Sequence, residues 1–240
     1  MEVFFMSKNS LTRELAYMAI YIALYVVLKF AGDLIPILKM PNGGSIELEL
    51  IAVFIASYHL GWKGGACVAV LSWIMTIVMG FPMYFVHPVQ IALDYLLPLL
   101  VCGLASLLWP MKETGNVLSV CMSLATGLLA FAGIHYSFPA SVISTIAAVL
   151  FAIGTFVFTY WYLKEKKSYG IVLSMLLKYL CTVLSGAYYW AEGTAAGSAE
   201  AWTFSLSYNL GYNFVTMIVC IFAVPFLIQQ LNKTHTKING

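Results

Sequence analysis

Long apolar stretches with almost no charge follow one another along nearly the whole chain. The sequence has 240 residues, of which 62% are hydrophobic and only 9% are charged, and its mean hydropathy is +0.90. Soluble domains carry roughly 25% charged residues, so the composition excludes a soluble globular protein. A helix that crosses a bilayer needs about 20 consecutive apolar residues. The chain is therefore expected to form an all-α, polytopic membrane helical bundle.

Eight apolar segments have the composition of spanning helices. They are residues 13–31, 46–61, 64–80, 88–109, 116–135, 139–163, 169–191 and 203–231. The second and third are short, and only the sequence Gly-Trp-Lys-Gly at 61–64 separates them. Glycine at a break between apolar runs is typical of a turn, so these two segments are predicted to form a tight helical hairpin.

Apart from Lys29 and Lys178, which lie well inside apolar segments, the lysines and arginines favour one orientation. If the N-terminus lies in the cytoplasm, nine of them fall on the cytoplasmic side and only Lys39 falls on the outer side. Cytoplasmic loops of membrane proteins carry this excess of positive charge. We therefore expect eight spans with both termini in the cytoplasm. No small-residue cleavage site follows the first segment, so it is expected to be a span and not a cleaved signal peptide.

The most informative polar residues lie in the fourth segment. Gln90 and Asp94 are about one helical turn apart in a stretch that is otherwise apolar. A carboxylate inside a membrane is costly, and such residues mark functional sites by default. Farther along, Lys178, Trp190 and Asn209 occupy comparable places in other apolar segments. Together these five residues predict a polar, aromatic pocket that opens to the outer face.

The residue types indicate the chemistry of the ligand. The Asp94 carboxylate can accept hydrogen bonds from an amine or offset a cation, and the Trp190 ring can stack on a positively charged ring. Gln90 and Asn209 supply both donors and acceptors. The predicted ligand is small, flat and cationic. Gly186, one turn before Trp190, is predicted to leave room beneath the indole.

Structural explanations stay open for several of these residues. Asp94 and Lys178 can form a buried pair that only stabilises the fold, and Asn209 can hydrogen-bond a neighbouring helix. Glu47 and Glu49 lie near the outer end of the second segment and are two residues apart. If that turn is helical, only one of the two can face a cavity, and the other is expected to be solvated.

Catalytic and metal-binding motifs are missing from the sequence. It has no HExxH, no GxSxG and no glycine-rich phosphate loop, and its five cysteines are scattered without metal-type spacing. We therefore expect no catalytic residues, no bound metal and no cofactor, and without a basic tract we expect no nucleic-acid partner. A structural or assembly protein, whose polar residues only lock helices together, is one alternative class. An intramembrane enzyme is less favoured, because no nucleophile–base pair stands out.

Five stretches, in this order, resemble the thiamine-specific S components of bacterial energy-coupling factor (ECF) transporters. They are LAYMAIYIALY at 15–25, KMPNGGS at 39–45, PMYFVHPVQIALDYLLPLLVCGLASL at 82–107, KYLCTVLSGAYYW at 178–190 and AWTFSLSYNLGYN at 201–213. The resemblance covers residues 10–110 and 168–231. It implies one integral membrane domain over 1–240, in which a six-helix core is interrupted by an inserted helical hairpin at 111–167.

The resemblance also implies a role and a set of partners. Such a subunit captures thiamine outside the cell and docks on a transmembrane coupling subunit that is driven by two cytoplasmic ATPases. ATP hydrolysis is then expected on the partners, and the chain is expected in the bacterial cytoplasmic (plasma) membrane, surrounded by the lipid bilayer. Ala19 and Ala23 on the first helix are expected to form the docking surface, with internal packing as the alternative.

Site residues follow from the same resemblance. Asp94 and Tyr95 are expected to hold the aminopyrimidine, Trp190 to stack on the ligand, and Asn209 and Lys178 to complete the pocket. The remaining expected ligand contacts are Gln90, Thr182, Phe204 and Tyr208.

The chain departs from the family pattern at three of these positions. The family commonly has a histidine where Thr182 stands and a tyrosine where Phe204 stands, and some members have a glutamate where Asp94 stands. Two polar ligand contacts are then missing. An S component for a related heterocycle, such as a hydroxymethylpyrimidine precursor or another vitamin, is therefore the alternative within transport.

Overall fold

The computed structural model describes residues 8–40, 43–108, 116–137, 141–166, 169–191 and 193–238. Helices make up most of these residues. They are α1 Lys8–Leu34, α2 Leu50–Val78, α3 Pro88–Ile91, α4 Leu97–Gly103, α5 Ala105–Leu108, α6 Asn116–Ser137, α7 Val142–Lys166, α8 Tyr169–Ser185 and α9 Ala199–Ile238. A 3-10 turn occupies Pro36–Leu38, and π-helical turns occupy Ala92–Leu96 and Gly186–Trp190. The predicted helical membrane bundle is confirmed.

The predicted hairpin lies within α2. Gly61 has φ 79° and ψ 172°, a conformation that interrupts the helix and that glycine adopts without steric cost. A Cβ atom built on Gly65 would lie 2.6 Å from the Cα of Ser57. In a straight helix two residues eight apart are separated by about 12 Å. The chain therefore turns back at Gly61, and the two arms of α2 pack against each other as predicted.

The number of long spans differs from the eight predicted segments. Six helices in the described part of the chain are long and apolar enough to cross a membrane, and Pro88–Gly103 forms a shorter apolar helix. The second and third predicted segments are the two arms of α2, which meet at the turn at Gly61. The fourth is divided by a π turn and by the break after Gly103.

The core is formed mainly by the two arms of α2 with α1, α4, α8 and α9. Phe54, Val68, Ile171 and Cys220 are almost fully buried there. His59, close to the Gly61 turn, hydrogen-bonds the Tyr21 hydroxyl of α1.

The pair α6–α7 forms a second helical hairpin. Its helix α6 packs against α8 and α9 of the core. The hydroxyl groups of Ser119 on α6 and Tyr169 on α8 share a short hydrogen bond. Phe158 on α7 contacts Phe222 on α9, with ring centroids 5.2 Å apart. Two helices were predicted here, and residues 109–115 before α6, 138–140 between the two helices and 167–168 after α7 lie outside the described residues. That the hairpin 111–167 is an insertion stays a prediction.

Ala19 and Ala23 lie on the surface of α1, and both are exposed. Internal packing within the chain therefore does not explain this pair of small residues. Their proposed contact with a coupling subunit stays a prediction.

Candidate ligand-binding site

Two π-helical turns position the principal predicted site residues. Asp94 and Tyr95 lie in the turn Ala92–Leu96, and Trp190 ends the turn Gly186–Trp190. Pro98 has no N–H, so the carbonyl of Asp94 lacks its usual helical donor. The Leu97 N–H bonds to the carbonyl of Ala92, five residues before it, which makes this turn π-helical. Single π turns inside α-helices occur frequently at functional sites.

The carboxylate of Asp94 is the point at which three predicted residues meet. Its Oδ2 atom accepts hydrogen bonds from Nε2 of Gln90 at 2.6 Å and from Nε1 of Trp190 at 2.9 Å. Gln90 is fully buried, and its Oε1 accepts from the backbone N–H of Val86 at 3.1 Å. The one-turn spacing of Gln90 and Asp94 thus produces the predicted shared face. Trp190 reaches the same carboxylate from a different helix.

Aromatic residues from 81–87 cover this side of the site. The backbone N–H of Tyr84 donates to the Tyr95 hydroxyl at 2.8 Å, and the Tyr84 ring lies edge-on to Trp190 with centroids 5.9 Å apart. His87 stacks on Tyr189 at 5.5 Å. The loop before α3 is therefore held by residues that lie in, or next to, the two π turns.

A cavity of about 450 Å³, its open mouth included, lies beside Asp94. Asp94, Tyr95 and Lys178 are the predicted residues that line it. The other polar lining residues are Tyr25, Lys29, Glu47, Glu49, Trp73 and Thr76. Of these, the sequence placed only one of Glu47 and Glu49 at a cavity.

Lys178 is buried and fully paired. Its Nζ atom lies 2.9 Å from Oε2 of Glu47 and donates to Oδ1 of Asn213 at 2.7 Å, and it lies 5.6 Å from the ring centroid of Tyr212. Lys178 therefore forms its salt bridge with Glu47 and not with Asp94. A buried lysine with these partners holds the segment before α2 against α8 and α9.

The expectation that only one of Glu47 and Glu49 faces the cavity is wrong. Both line it, because residues 46–49 are extended and turn-like, and helix α2 begins only at Leu50. The helical spacing on which the expectation depended does not apply there. Glu49 pairs with Lys29 on α1 at 3.0 Å. Lys29 lies in an apolar helix, where a charged side chain needs a partner, so its presence was a sequence signal for this ion pair.

Gln90 and Trp190 contact Asp94 without lining the cavity, and four other predicted contacts also lie outside the lining that the described residues form. Asn209 donates to Ser205 and accepts from the Tyr212 hydroxyl. Thr182 is buried and donates to the carbonyl of Tyr179. The remaining two, Phe204 and Tyr208, stack on each other with ring centroids 5.6 Å apart. Their role as ligand contacts stays a prediction.

The predicted role of Gly186 is wrong. A Cβ atom on Gly186 would lie 2.1 Å from Oγ of Ser205 and 3.1 Å from Nδ2 of Asn209. The missing side chain therefore allows α8 and α9 to approach closely and does not leave a space beneath the Trp190 indole. Small residues are common where membrane helices pack closely.

The charges of the cavity suggest what it can bind. Three carboxylates (Glu47, Glu49 and Asp94) and two ammonium groups (Lys29 and Lys178) line it, which leaves one net negative charge when all are ionised. Glu47 and Glu49 each have a lysine partner, whereas the hydrogen bonds that Asp94 accepts in the described structure come from the neutral Gln90 and Trp190. The arrangement suits a singly charged cation that approaches Asp94.

Gly44 gives a direct test of the loop before α2. Its φ is +83°, and an added Cβ would lie 2.9 Å from Cε1 of Tyr212. We expect Gly44→Ala to lower the thermal midpoint of unfolding, because strain of about 1–2 kcal/mol is added to a clash. Gly43→Ala is the matched control, since Gly43 has φ +93° with nothing within 4 Å. Equal losses in both variants would contradict the Gly44–Tyr212 contact.

Comparison with known proteins identifies the family of this chain. The family model described as thiamine transporter protein matches residues 15–236. The thiamine transporter ThiT of Bacillus subtilis (strain 168) is 24% identical over 224 residues, which cover 93% of this chain and 94% of that protein. No solved structure matches the chain. Because the family model spans nearly the whole sequence, this polytopic membrane protein belongs to the thiamine transporter family.

Proposed function

We propose that the protein is the substrate-binding subunit, or S component, of an ECF-type vitamin importer and that it captures thiamine. The observation that carries this proposal is the Asp94 carboxylate, which is held by Gln90 and Trp190 at the wall of a cavity with one net negative charge. Thiamine joins an aminopyrimidine to a positively charged thiazolium ring. The cavity therefore supplies a hydrogen-bond acceptor for the first ring and a compensating charge for the second.

The residues around Asp94 have distinct roles in this proposal. Asp94 accepts hydrogen bonds from the aminopyrimidine, and Tyr95, whose hydroxyl is fixed by the Tyr84 N–H, forms the adjoining wall. Trp190 orients the carboxylate through its N–H and offers its ring face to the cation. The Lys178–Glu47 salt bridge holds the segment before α2 against the bundle beside the ligand.

Transport in this proposal requires partner subunits. The chain captures the ligand from the outer side of the bacterial plasma membrane, and a transmembrane coupling subunit with two ATPases supplies the energy. The chain itself has no enzymatic role in this scheme. The exposed pair Ala19 and Ala23 on α1 is a flat surface for the coupling subunit. The positive charge of the expected cytoplasmic loops supports an orientation with both termini inside.

A related heterocycle is the second candidate ligand. The hydroxyl of Thr182 donates to the Tyr179 carbonyl and accepts from Asn213, and Phe204 has no polar atom in its side chain. The two polar contacts that the resemblance would provide at these positions are therefore unavailable to the ligand. A pyrimidine precursor needs fewer contacts than thiamine does.

Tryptophan fluorescence of the purified, detergent-solubilised chain tests the ligand and the site together. We expect thiamine to quench the emission saturably, because its cationic ring lies against Trp190. Trp190→Phe should remove most of this quenching and weaken binding about tenfold or more, since it deletes a hydrogen bond to a charged group. The matched control is Trp202→Phe, because the ring of Trp202 contacts Tyr188, at a centroid distance of 6.1 Å, whereas the indole N–H of Trp190 donates to Asp94.

The possible outcomes separate the candidates. Quenching by the pyrimidine fragment, with none by thiamine, would keep the site and change the ligand. Undiminished quenching by thiamine in Trp190→Phe would contradict the proposed position of the ligand. If the folded chain responds to neither compound, the proposed function is wrong. Uptake that depends on ATP but needs no partner subunits would contradict the S-component assignment.

A further inference from the structure

The cavity extends beyond Asp94 to a part that the resemblance does not assign. This part, called here the α1 end of the cavity, is lined by Tyr25 and Lys29 of α1 and by Glu49, Trp73 and Thr76 before and within α2. It shares the cavity with Asp94 and Tyr95, so one ligand can touch both regions. Its side chains include one ion pair and three neutral hydrogen-bonding groups.

The ion pair at the α1 end neutralises the only lysine there among the described residues. Nζ of Lys29 lies 3.0 Å from Oε1 of Glu49 and 5.5 Å from the ring centroid of Phe81. The Glu49 side chain is only 6% exposed and that of Lys29 is 21% exposed. Little solvent screens these charges, so their effect on a ligand in the cavity is larger than at an open surface. The positive charge of Lys29 is therefore already compensated before any ligand arrives.

The neutral groups suit an uncharged oxygen atom. The hydroxyl groups of Tyr25 and Thr76 share a hydrogen bond of 3.3 Å. Nε1 of Trp73 is buried and has no hydrogen-bond partner in the described part of the chain. A buried donor without a partner is costly, and an acceptor that reaches the indole N–H relieves that cost. A ligand hydroxyl can accept from one of these groups and donate to another.

We propose that the α1 end of the cavity receives the neutral hydroxyl tail of the cationic ligand and that Glu49 makes the site select the free alcohol over its phosphate ester. This inference depends on the proposed function, because it takes thiamine as the ligand. A phosphate ester carries a charge of about −1.5 to −2 at pH 7. It would meet the Glu49 carboxylate next to a lysine that is already paired, whereas a hydroxyl meets no such repulsion. Glu49 is thus a specificity-determining residue.

The test compares the Kd of thiamine with that of thiamine monophosphate on the full purified chain. We expect the wild type to bind thiamine more tightly. Glu49→Gln releases Lys29 for the phosphate, so the preference for thiamine should fall about tenfold or more. Lys29→Gln leaves the carboxylate without its partner, so the preference should increase. The double variant Lys29→Gln/Glu49→Gln leaves no unpaired charge, and its preference should lie between those of the single variants.

Glu200→Gln is the matched control, because Glu200 is exposed in the first turn of α9, away from the cavity. It should keep the wild-type ratio of the two Kd values. The inference is overturned if the wild type binds the ester as tightly as thiamine. It is also overturned if thiamine binds and the ratio is unchanged in Glu49→Gln or, should that variant fail to fold, in Lys29→Gln. If neither compound binds the folded wild type, the proposed function itself is wrong and this inference falls with it.

Discussion

Asp94→Asn is expected to weaken thiamine binding about 100-fold or more, because truncating a buried, hydrogen-bonded charge pair costs about 2–5 kcal/mol. Asparagine keeps the shape of the side chain and one oxygen atom. Gln90 or Trp190 can therefore still donate to position 94. The substitution removes the negative charge and leaves the surrounding helices in place. Isothermal titration of the detergent-solubilised chain measures the loss, and thermal unfolding in the absence of ligand measures the stability.

Asp33→Asn makes the same chemical change outside the cavity. Asp33 pairs with Lys39 at 3.3 Å, and both side chains are substantially exposed. Exposed ion pairs contribute only about 0–1 kcal/mol, so this variant should bind and unfold like the wild type. If Asp94 were only a structural residue, Asp94→Asn would lower the thermal midpoint and leave thiamine affinity unchanged. That result would assign Asp94 a structural role and place the bound thiamine away from it.

The parts of the site that could be predicted from sequence are those that local spacing determines. Asp94 stands out because a carboxylate is costly in an apolar helix, and its pairing with Gln90 follows from the helical repeat. Trp190 was recognised from its place at the end of an apolar segment. The hydrogen bond from its indole to Asp94 depends on how two distant helices pack, and no local pattern contains that information.

The parts that sequence reasoning missed depend on tertiary structure or on where a helix begins. Glu47 and Glu49 were assigned helical spacing, whereas α2 begins only at Leu50, so both side chains reach one cavity. Lys29 lies in a predicted span, but its partner Glu49 comes from another segment. Gly186 was interpreted from its neighbour along the helix, while the atoms that require glycine belong to α9.

The tight hairpin in α2 was predicted from two short apolar runs and a glycine-containing break. Its contact with α4 was not predicted, because nothing in the local sequence links residues so far apart. A Cβ on Gly65 would lie 2.3 Å from the carbonyl oxygen of Gly103, and a Cβ on Gly103 would lie 2.5 Å from that of Gly65. Both obstacles are backbone atoms, so no side-chain rotation can relieve them.

Gly65→Ala and Gly103→Ala are each expected to destabilise the protein by about 1–3 kcal/mol or more, the cost of overpacking a close contact. Thermal unfolding without ligand measures this loss. Thiamine affinity should fall as well, because the chain runs from the π turn that carries Asp94 directly into α4, which must move away from the hairpin. Neither residue lines the cavity, so a loss of affinity would report a displacement transmitted through the backbone.

Gly154→Ala is the matched control, because Gly154 lies within the helix α7 and an added Cβ there meets nothing within 4 Å. Alanine is a better helix former than glycine by about 0.8–1 kcal/mol, so this variant should be as stable as the wild type or slightly more stable. The two clashing variants have the same helical preference in their favour and should still unfold earlier. If all three glycine variants unfold at the same temperature, the backbones of the hairpin and α4 are not in contact, and the position of Asp94 beside the cavity loses its structural support.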